Sequence, residues 1–289
     1  MNQPINKLTA LIQTGKPVLM GILNVTPDSF SDGGQFLVPE QALARAMEMC
    51  QVGADVIDVG GESTRPGSDP VCTEDQSERV MPVISALRRR LPERCAISVD
   101  TTRSEVAAAA LNAGADMIND VSAGRDDPAM LHLAAQRHAA IVLMHMQGTP
   151  KTMQDEPSYI SVVDEVLSFL LKRADAARAI GIPRENIVLD PGIGFGKRKQ
   201  DNLELLAGLP RLADTGYPIL LGTSRKRFMG AICQVDDPGQ LVIATAVTTA
   251  FGVMAGVRLF RVHDVRENRQ AADVALAIKE ATANRFPTP

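Results

Sequence analysis

The chain of 289 residues has room for one large domain or two ordinary ones, and no shift in composition divides it. Hydrophobic residues make up 45% of it and charged residues 22%, with 30 Lys and Arg against 34 Asp and Glu, a net charge of -4. These values argue against a disordered chain, a coiled coil and a broadly basic nucleic-acid-binding surface. They predict a globular protein with a large core.

Cysteine spacing and the start of the chain predict a cytoplasmic protein with reduced thiols. The cysteines at 50, 72, 95 and 233 are too far apart for a CxxC pair or a zinc knuckle. The first residues show no signal-peptide pattern. The uncharged run 238–257 approaches the length of a membrane span. Its threonines, glycines and glutamine instead favour a buried helix packed through small residues, and no membrane partner is expected.

Short β-branched runs alternate with helical patterns along the whole chain, which predicts an α/β protein with parallel strands. Strands are predicted at 18–25, 56–60, 96–101, 117–122, 140–146, 187–191, 218–224 and 257–263. Helices are predicted at 41–51, 73–91, 103–113, 128–138, 163–180, 203–215, 241–255 and 266–282. A faint internal repeat, GADVID at 53–58 and GADMIN at 114–119, gives two strands the same register and a polar residue each.

Nearly every predicted strand ends in a polar side chain, and this favours a closed barrel over an open sheet. In an open sheet ligands gather beside one switch point, whereas in a barrel all eight strand ends meet at one mouth. We therefore predict a single (β/α)8 TIM barrel over 1–289, with a core of about 18–282, a lead-in at 1–17 and a tail at 283–289.

The polar strand ends divide into two chemical groups. Carboxylates and amides (Asp100, Asn119 and Asp190) suit the donor edge of a flat heterocycle. Cationic groups (Lys226, Arg261, His263 and Arg65), with Asn24 and Thr64 as neutral oxygens, suit a diphosphate and a magnesium ion held mainly by its phosphates. No Ser or Cys is paired with a base in a recognisable motif, so covalent nucleophilic catalysis has no support.

Three further features have competing interpretations. The string GIGFGK at 192–197 fits neither a dinucleotide fingerprint nor a P-loop, and alone would be a flexible turn. The long first loop, 26–34, is either surface filler or a lid, and its place after a strand end favours a lid. His145, Asp190 and His263 could ligate a metal, but for His145 a hydrogen-bonded histidine at the edge of the core is the favoured interpretation.

Seven strings, in order, resemble the bacterial dihydropteroate synthases, a pterin-binding family. They are GILNVTPDSFSDGG (21–34), GGESTRPG (60–67), SVDT (98–101), INDV (118–121), DPG (190–192), SRK (224–226) and RVHD (261–264). The resemblance implies a (β/α)8 barrel transferase that joins 6-hydroxymethyl-7,8-dihydropterin diphosphate to 4-aminobenzoate in folate synthesis. It also implies a homodimer, a Mg²⁺ cofactor and inhibition by sulfonamides.

The resemblance assigns roles residue by residue. Asp100, Asn119 and Asp190 would bind the pterin edge and Lys226 its carbonyl side. Arg261, His263, Thr64 and Arg65 would hold the diphosphate, and Asn24 the magnesium. Phe30 and Asp32 would help form the aminobenzoate pocket. The predicted catalytic residues are Lys226, Asp100, Asp32 and Arg261, and Phe195, Ser224 and Met144 complete the predicted substrate-binding set.

Two positions depart from the family pattern and two other functions stay open. Ile193 stands where many members have phenylalanine, and Arg227 where others have serine, so sulfonamide sensitivity is in question. A pterin-dependent methyltransferase would account for the carboxylates and amides but not for the cationic end. A pterin-binding paralogue without turnover is the non-enzymatic alternative. The predicted helix 241–255 would form the dimer surface, since exposed alone it would be a large apolar patch.

Overall fold

Eight parallel strands form the centre of a computed structural model, which describes residues 6–26, 38–63 and 67–285. Hydrogen bonding follows the order β6-β5-β4-β3-β2-β1-β8-β7, and a parallel bridge between Leu189 and Ile219 brings β6 beside β7. The predicted (β/α)8 barrel is confirmed. The strands are β1 Val18–Asn24, β2 Val56–Gly60, β3 Ala96–Asp100, β4 Met117–Asp120, β5 Ala140–Met144, β6 Ile187–Asp190, β7 Leu220–Leu221 and β8 Leu259–Val262.

Helices surround the barrel, and eleven α-helices lie within the described residues. They are α1 Lys7–Gln13, α2 Val38–Gln51, α3 Thr73–Arg90, α4 Ser104–Ala113, α5 Ala129–Gln136, α6 Val162–Ala179, α7 Lys199–Ala207, α8 Leu209–Ala213, α9 Arg227–Cys233, α10 Val242–Met254 and α11 Val265–Arg285. Short 3-10 helices lie at Arg184–Asn186 and Pro238–Gln240.

Side chains alternate between two cores along each strand, as the pleat of a strand requires. On β1, Leu19 and Leu23 join the large core between barrel and helices, whereas Val18 and Met20 join a smaller cluster inside the barrel. The inner cluster is apolar toward the start of the strands and gives way to polar residues toward their ends. Because all strands are parallel, those polar residues converge on one mouth.

The N-terminal segment is more than a lead-in. Leu8 of α1 is fully buried and belongs to the cluster inside the barrel, so α1 covers the end opposite the mouth. Two other regions also differ from the prediction: α7 and α8, divided at Gly208, stand in place of one helix at 203–215, and α9, which begins at Arg227, was not predicted. At the far end, α11 extends to Arg285, past the predicted core boundary.

The predicted burial of the helix at 241–255 through small residues holds for one of its faces only. One face of α10 is buried through small residues such as Thr249 and Gly252, but Ile243 is 79% and Val247 62% exposed on the other face. Gly252 lets the helix approach β8, because a Cβ there would lie 2.7 Å from Cε1 of Phe260. Among helices of the described residues, none has the length and apolarity to cross a membrane.

Candidate functional site

The mouth of the barrel is built on a row of three neighbouring strand ends. Asn24, Gly60 and Asp100 are register partners at the ends of β1, β2 and β3. A Cβ on Gly60 would lie 3.5 Å from Oδ1 of Asn24 and 3.5 Å from Cβ of Asp100, so the missing side chain leaves space between them. The row therefore presents an amide oxygen and a carboxylate on either side of a gap.

Arg261 of β8 joins two buried carboxylates at the floor of the mouth. Its Nε donates to Oδ2 of Asp58 at 2.6 Å and its terminal nitrogen to Oδ2 of Asp100 at 2.8 Å. Nδ2 of Asn119 donates to the same Asp58 oxygen at 3.1 Å. Four strands thus contribute one hydrogen-bonded polar network, which holds each planar group in a defined orientation.

Asp58 is the functional residue that the sequence analysis missed. Its side chain is fully buried, and Oδ1 has no hydrogen-bond partner in the described structure. The internal repeat held the signal, because it aligns Asp58 on β2 with Asn119 on β4, a predicted site residue. Both side chains point into the barrel and they contact each other.

Burial perturbs the pKa values of the charged groups in the mouth. It raises the pKa of Asp100 to about 7, against the attraction of Arg261, and that of Asp190 to about 6. It lowers the pKa of Lys226 to about 8. Burial also opposes the charge on Arg261, but Asp58 and Asp100 outweigh it and the pKa of Arg261 is raised. Such displacements in a cleft are typical of functional sites.

A glycine-rich turn, residues 192–196, forms one wall of the mouth after β6. The backbone N–H of Gly192 donates to Oδ1 of Asp190 at 2.7 Å. The ring of Phe195 lies below Lys226, with Nζ 4.0 Å from the ring centroid, a cation–π contact. Met144 of β5 packs in the same small apolar cluster as Phe195. The turn thus brings Asp190, Lys226, Phe195 and Met144 to the same side of the site.

His263 and Ser224 are joined at the cationic side of the mouth, in the segments after β8 and β7. The backbone N–H of His263 donates to Oγ of Ser224 at 3.1 Å, and that hydroxyl lies 2.9 Å from Nδ1 of the histidine. These two contacts hold the histidine ring and the serine hydroxyl together. Arg225 is taken up by a two-pronged ion pair with Asp264 instead of entering the mouth.

Five of the sequence-predicted positions are not among the residues of the mouth described above. Phe30, Asp32, Thr64 and Arg65 fall outside the described residues. Ile193 is 1% exposed and packs in the core between barrel and helices, so its departure from phenylalanine changes core packing and not the lining of the mouth.

His145 and Arg227, two further sequence candidates, also lie apart from the floor network. His145 is buried, with Nδ1 3.0 Å from Nζ of Lys197. Arg227 is exposed at the start of α9.

A comparison with protein families matches residues 20–263 to the model described as pterin binding enzyme. The chain belongs to this family. The dihydropteroate synthase of Synechocystis sp. is 46% identical over 260 residues, covering 90% of this chain and 89% of that protein. The enzyme of Haemophilus influenzae is 44% identical over 269 residues, covering 93% and 94%. The resemblance drawn from the seven strings is confirmed.

Solved structures of other pterin-binding enzymes share the fold. The Xanthomonas albilineans dihydropteroate synthase with 4-aminobenzoic acid is 44% identical, with a TM-score of 0.85 over 91% of this chain and 93% of that one. The Yersinia pestis enzyme with a sulfonamide drug is 41% identical, with a TM-score of 0.86 over 92% and 95%. A complex of the Xanthomonas enzyme with 7,8-dihydropteroate is 41% identical, with a TM-score of 0.81 over 91% and 94%.

Proposed function

We propose that this protein is a dihydropteroate synthase, which joins 6-hydroxymethyl-7,8-dihydropterin diphosphate to 4-aminobenzoate and releases diphosphate. The observation that carries the proposal is the buried network of Asp58, Asp100, Asn119 and Arg261 at the floor of the barrel mouth. Support comes from the family match and from relatives whose structures hold 4-aminobenzoic acid or 7,8-dihydropteroate.

The floor network suits a flat heterocycle with N–H donors on its edge. Carboxylates accept such donors in pairs, and the Asn119 amide offers both an acceptor and a donor. Asp190 would bind a second part of the same edge, with Lys226 donating to the ring carbonyl. The guanidinium of Arg261 is planar and held by two carboxylates, so it can lie against the ring face without losing its orientation.

The cationic side suits the diphosphate. His263 would donate a ring N–H to a phosphate oxygen, and Arg261 adds positive charge nearby. Thr64 and Arg65 would add a hydroxyl and a guanidinium. These groups stabilise negative charge as it develops on the departing diphosphate.

Magnesium fits this site only as an ion that enters with the substrate. The described residues contain no group of three or more His, Cys, Asp or Glu able to hold a metal. The Asn24 amide oxygen beside the gap at Gly60 is a hard neutral ligand, of the kind that completes a shell of phosphates and waters. We propose that Asn24 contacts Mg²⁺ and that the ion neutralises diphosphate charge when bound.

The reaction follows as a dissociative substitution. The electron-rich pterin delocalises the cation left on its methylene carbon, so cleavage of the C–O bond can run ahead of attack by the weakly nucleophilic amine. Asp100 stabilises that cation through its field, and Asp32 is a second candidate for the same role. Positional isotope exchange in the diphosphate without 4-aminobenzoate is the expected sign, and cleavage that depends strictly on the amine would contradict it.

One assay separates the synthase from its rivals. Diphosphate release is measured with pterin diphosphate, with and without 4-aminobenzoate, together with dihydropteroate formation. The synthase releases one diphosphate for each dihydropteroate formed. Tight pterin binding without release would instead indicate a non-catalytic paralogue, and methyl transfer from methyltetrahydrofolate to a corrinoid protein a methyltransferase.

We further propose that the protein is a homodimer, is inhibited by sulfonamides and works in the cytoplasm. An open apolar groove of about 620 Å³ between α10 and α11 supports the dimer, because single chains rarely leave such a surface to water. A relative solved with a sulfonamide supports the inhibition. The free cysteines are compatible with a reducing compartment, which cell fractionation would test.

A further inference from the structure

Lys197, the residue after the glycine-rich turn, is buried and has no part in the reaction proposed above. Its side chain is 3% exposed. Nζ donates to the carbonyl oxygens of Gly192 at 2.8 Å and Phe195 at 2.9 Å, and lies 3.0 Å from Nδ1 of His145. In its ammonium form the side chain has three protons, which these acceptors and the carbonyl oxygen of His145 at 3.4 Å use fully, and burial lowers its pKa to about 7.

The histidine end of this link is fixed in the barrel. Burial lowers the pKa of His145 to about 3, so the ring is neutral and its Nδ1 can accept a hydrogen bond from the ammonium. The ring meets Phe169 edge-on at 4.9 Å, and the backbone N–H of His145 donates to the carbonyl of Asp190 at 3.0 Å. Lys197 therefore links the glycine turn to the ends of β5 and β6.

The turn needs such ties because its conformation is unusual. Gly192, Gly194 and Gly196 have φ values of 67°, 83° and 61°, a region that suits glycine and offers no regular ladder of backbone hydrogen bonds. Side chains from the segment after β5 supply further ties. Tyr159 donates its hydroxyl to the carbonyl of Gly196 at 2.6 Å, and Gln154 donates to that of Gly194 at 3.2 Å.

The turn also sets the position of the Phe195 ring. The Lys226 ammonium, from the segment after β7, lies over that ring, and a Cβ on Gly194 would come within 3.1 Å of Cδ of Lys226. Phe195 is half-buried at the mouth, whereas Asp100 and Asn119 are buried at its floor. With a heterocycle on the floor, the attacking amine must arrive from the open side, where the Phe195 ring suits an aromatic substrate.

We propose that Lys197 is a positioning residue that sets the affinity for the aryl amine, by holding the glycine turn and with it the Phe195 ring. This inference rests on the proposed function, because it assigns that ring to the second substrate. Within the described residues, Lys197 donates no hydrogen bond to the floor network, to Asp190 or to Lys226, so loss of its hydrogen bonds should affect the aryl amine more than the heterocycle.

The test is Lys197→Met, which keeps the length of the side chain and removes its charge. Lys199→Met, at an exposed position two residues on, is the matched control. We expect the KM for 4-aminobenzoate to rise by about tenfold or more, the loss typical of charge-assisted hydrogen bonds. The affinity for 6-hydroxymethyl-7,8-dihydropterin, measured by calorimetry, should fall by a clearly smaller factor, because Lys197 acts on Asp190 through its charge alone. Amide hydrogen exchange across 190–197 should accelerate, and Lys197→Gln, which keeps two donors, should restore part of both properties.

Contrary results are equally defined. A folded Lys197→Met variant with an unchanged KM for 4-aminobenzoate overturns the proposal, as does an equal loss for both substrates. If Lys197→Met does not fold, Tyr159→Phe removes a single tie on the same turn and decides by the same two readouts. A wild-type protein that forms no dihydropteroate refutes the proposed function instead, while exchange across 190–197 still shows whether Lys197 holds the turn.

Discussion

Arg261 carries much of the electrostatic organisation of the mouth, because two carboxylates that would repel each other are both bonded to it. Burial of the Asp100 and Asp190 carboxylates nevertheless lowers the free energy of unfolding of the free protein. The raised pKa values of Asp100 and Asp190 mean that folding works against their ionised forms at neutral pH. A ligand that donates hydrogen bonds to these carboxylates offsets that cost, so binding strength and stability of the free protein oppose each other here.

Asp190→Asn should therefore stabilise the ligand-free protein and weaken pterin binding. Burial raises the pKa of Asp190 from 3.8 to about 6, so the folded state binds its proton more tightly and stability falls as pH rises through that interval. In urea unfolding, the advantage of the variant over wild type should grow by about 1 to 3 kcal/mol from pH 4 to pH 8. An advantage independent of pH would contradict this account. Pterin affinity should fall by about 2 to 5 kcal/mol.

The pH dependence of kcat/KM for pterin diphosphate should be bell-shaped, with its maximum between about pH 7 and pH 8. Asp100, with a pKa of about 7, loses its charge on the acid side, and Lys226, with a pKa of about 8, on the alkaline side. Lys226→Met should abolish the alkaline limb. The control is the pH dependence of 6-hydroxymethyl-7,8-dihydropterin binding, measured by calorimetry, because this ligand has no diphosphate that could titrate. A binding affinity independent of pH would exclude Asp100 as the cause of the acid limb.

At the scale of elements, the strands place polar side chains at the mouth, and the turns after the strands determine the positions of the neighbouring side chains. The turn after β6 is the tightest example. Gly192 and Gly196 lie so close to the segment after β5 that a Cβ would meet the carbonyl oxygens of His145 and Gln147. This close approach joins two successive βα connections into one wall.

Gly196→Ala should be costly for two reasons that can be separated. Its φ of 61° strains any residue with a Cβ, and that Cβ would collide with the Gln147 backbone. Gly181 is the matched control, with a φ of 102° and nothing within 4 Å of an added Cβ. We expect Gly181→Ala to lower the free energy of unfolding by about 1 to 2 kcal/mol from strain alone, and Gly196→Ala by more. Equal losses would show that the close approach contributes nothing.

At the scale of the whole molecule, the closed barrel buries its sheet and leaves its main apolar exposure on one helical face. Ile243 and Phe251 of α10 line a groove with Val274 and Ile278 of α11, which are 61% and 55% exposed. The buried face of α10 packs on the barrel through small residues, so the outer face is free to meet a second copy. A two-fold pairing of this face would hide it while leaving the mouths at the strand ends open.

Ile243→Glu should convert the proposed dimer to a monomer, because pairing would bury two facing carboxylates in an apolar interface. Light scattering after size-exclusion chromatography measures the mass. Ile160→Glu, at a fully exposed isoleucine outside the groove, is the control and should leave the mass unchanged. A wild-type protein that is monomeric at micromolar concentration would refute the dimer.

Strand polarity made much of the site predictable from sequence. The parallel alternation of strands and helices implied that Asp100, Asn119, Asp190 and Arg261 would meet, and these side chains do lie at the ends of strands around one mouth. Gly114, the residue after the predicted helix 103–113, ends α4 in the left-handed conformation. Such features depend on local periodicity and on a polarity shared by all the strands, which the order of residues along the chain already contains.

Only the tertiary structure decided which side chains contact each other in the mouth. Asp58 lies 203 positions from Arg261 along the chain, and no local pattern indicates that the two share an ion pair. The same holds for Lys197, which the sequence would leave as a loop cation, and for α10, whose apolar positions look alike until the barrel buries one face. Burial and partners arise from contacts across the closed barrel, so the amino-acid sequence determined the fold and the chemical groups at its mouth, whereas packing decided their partners and charges.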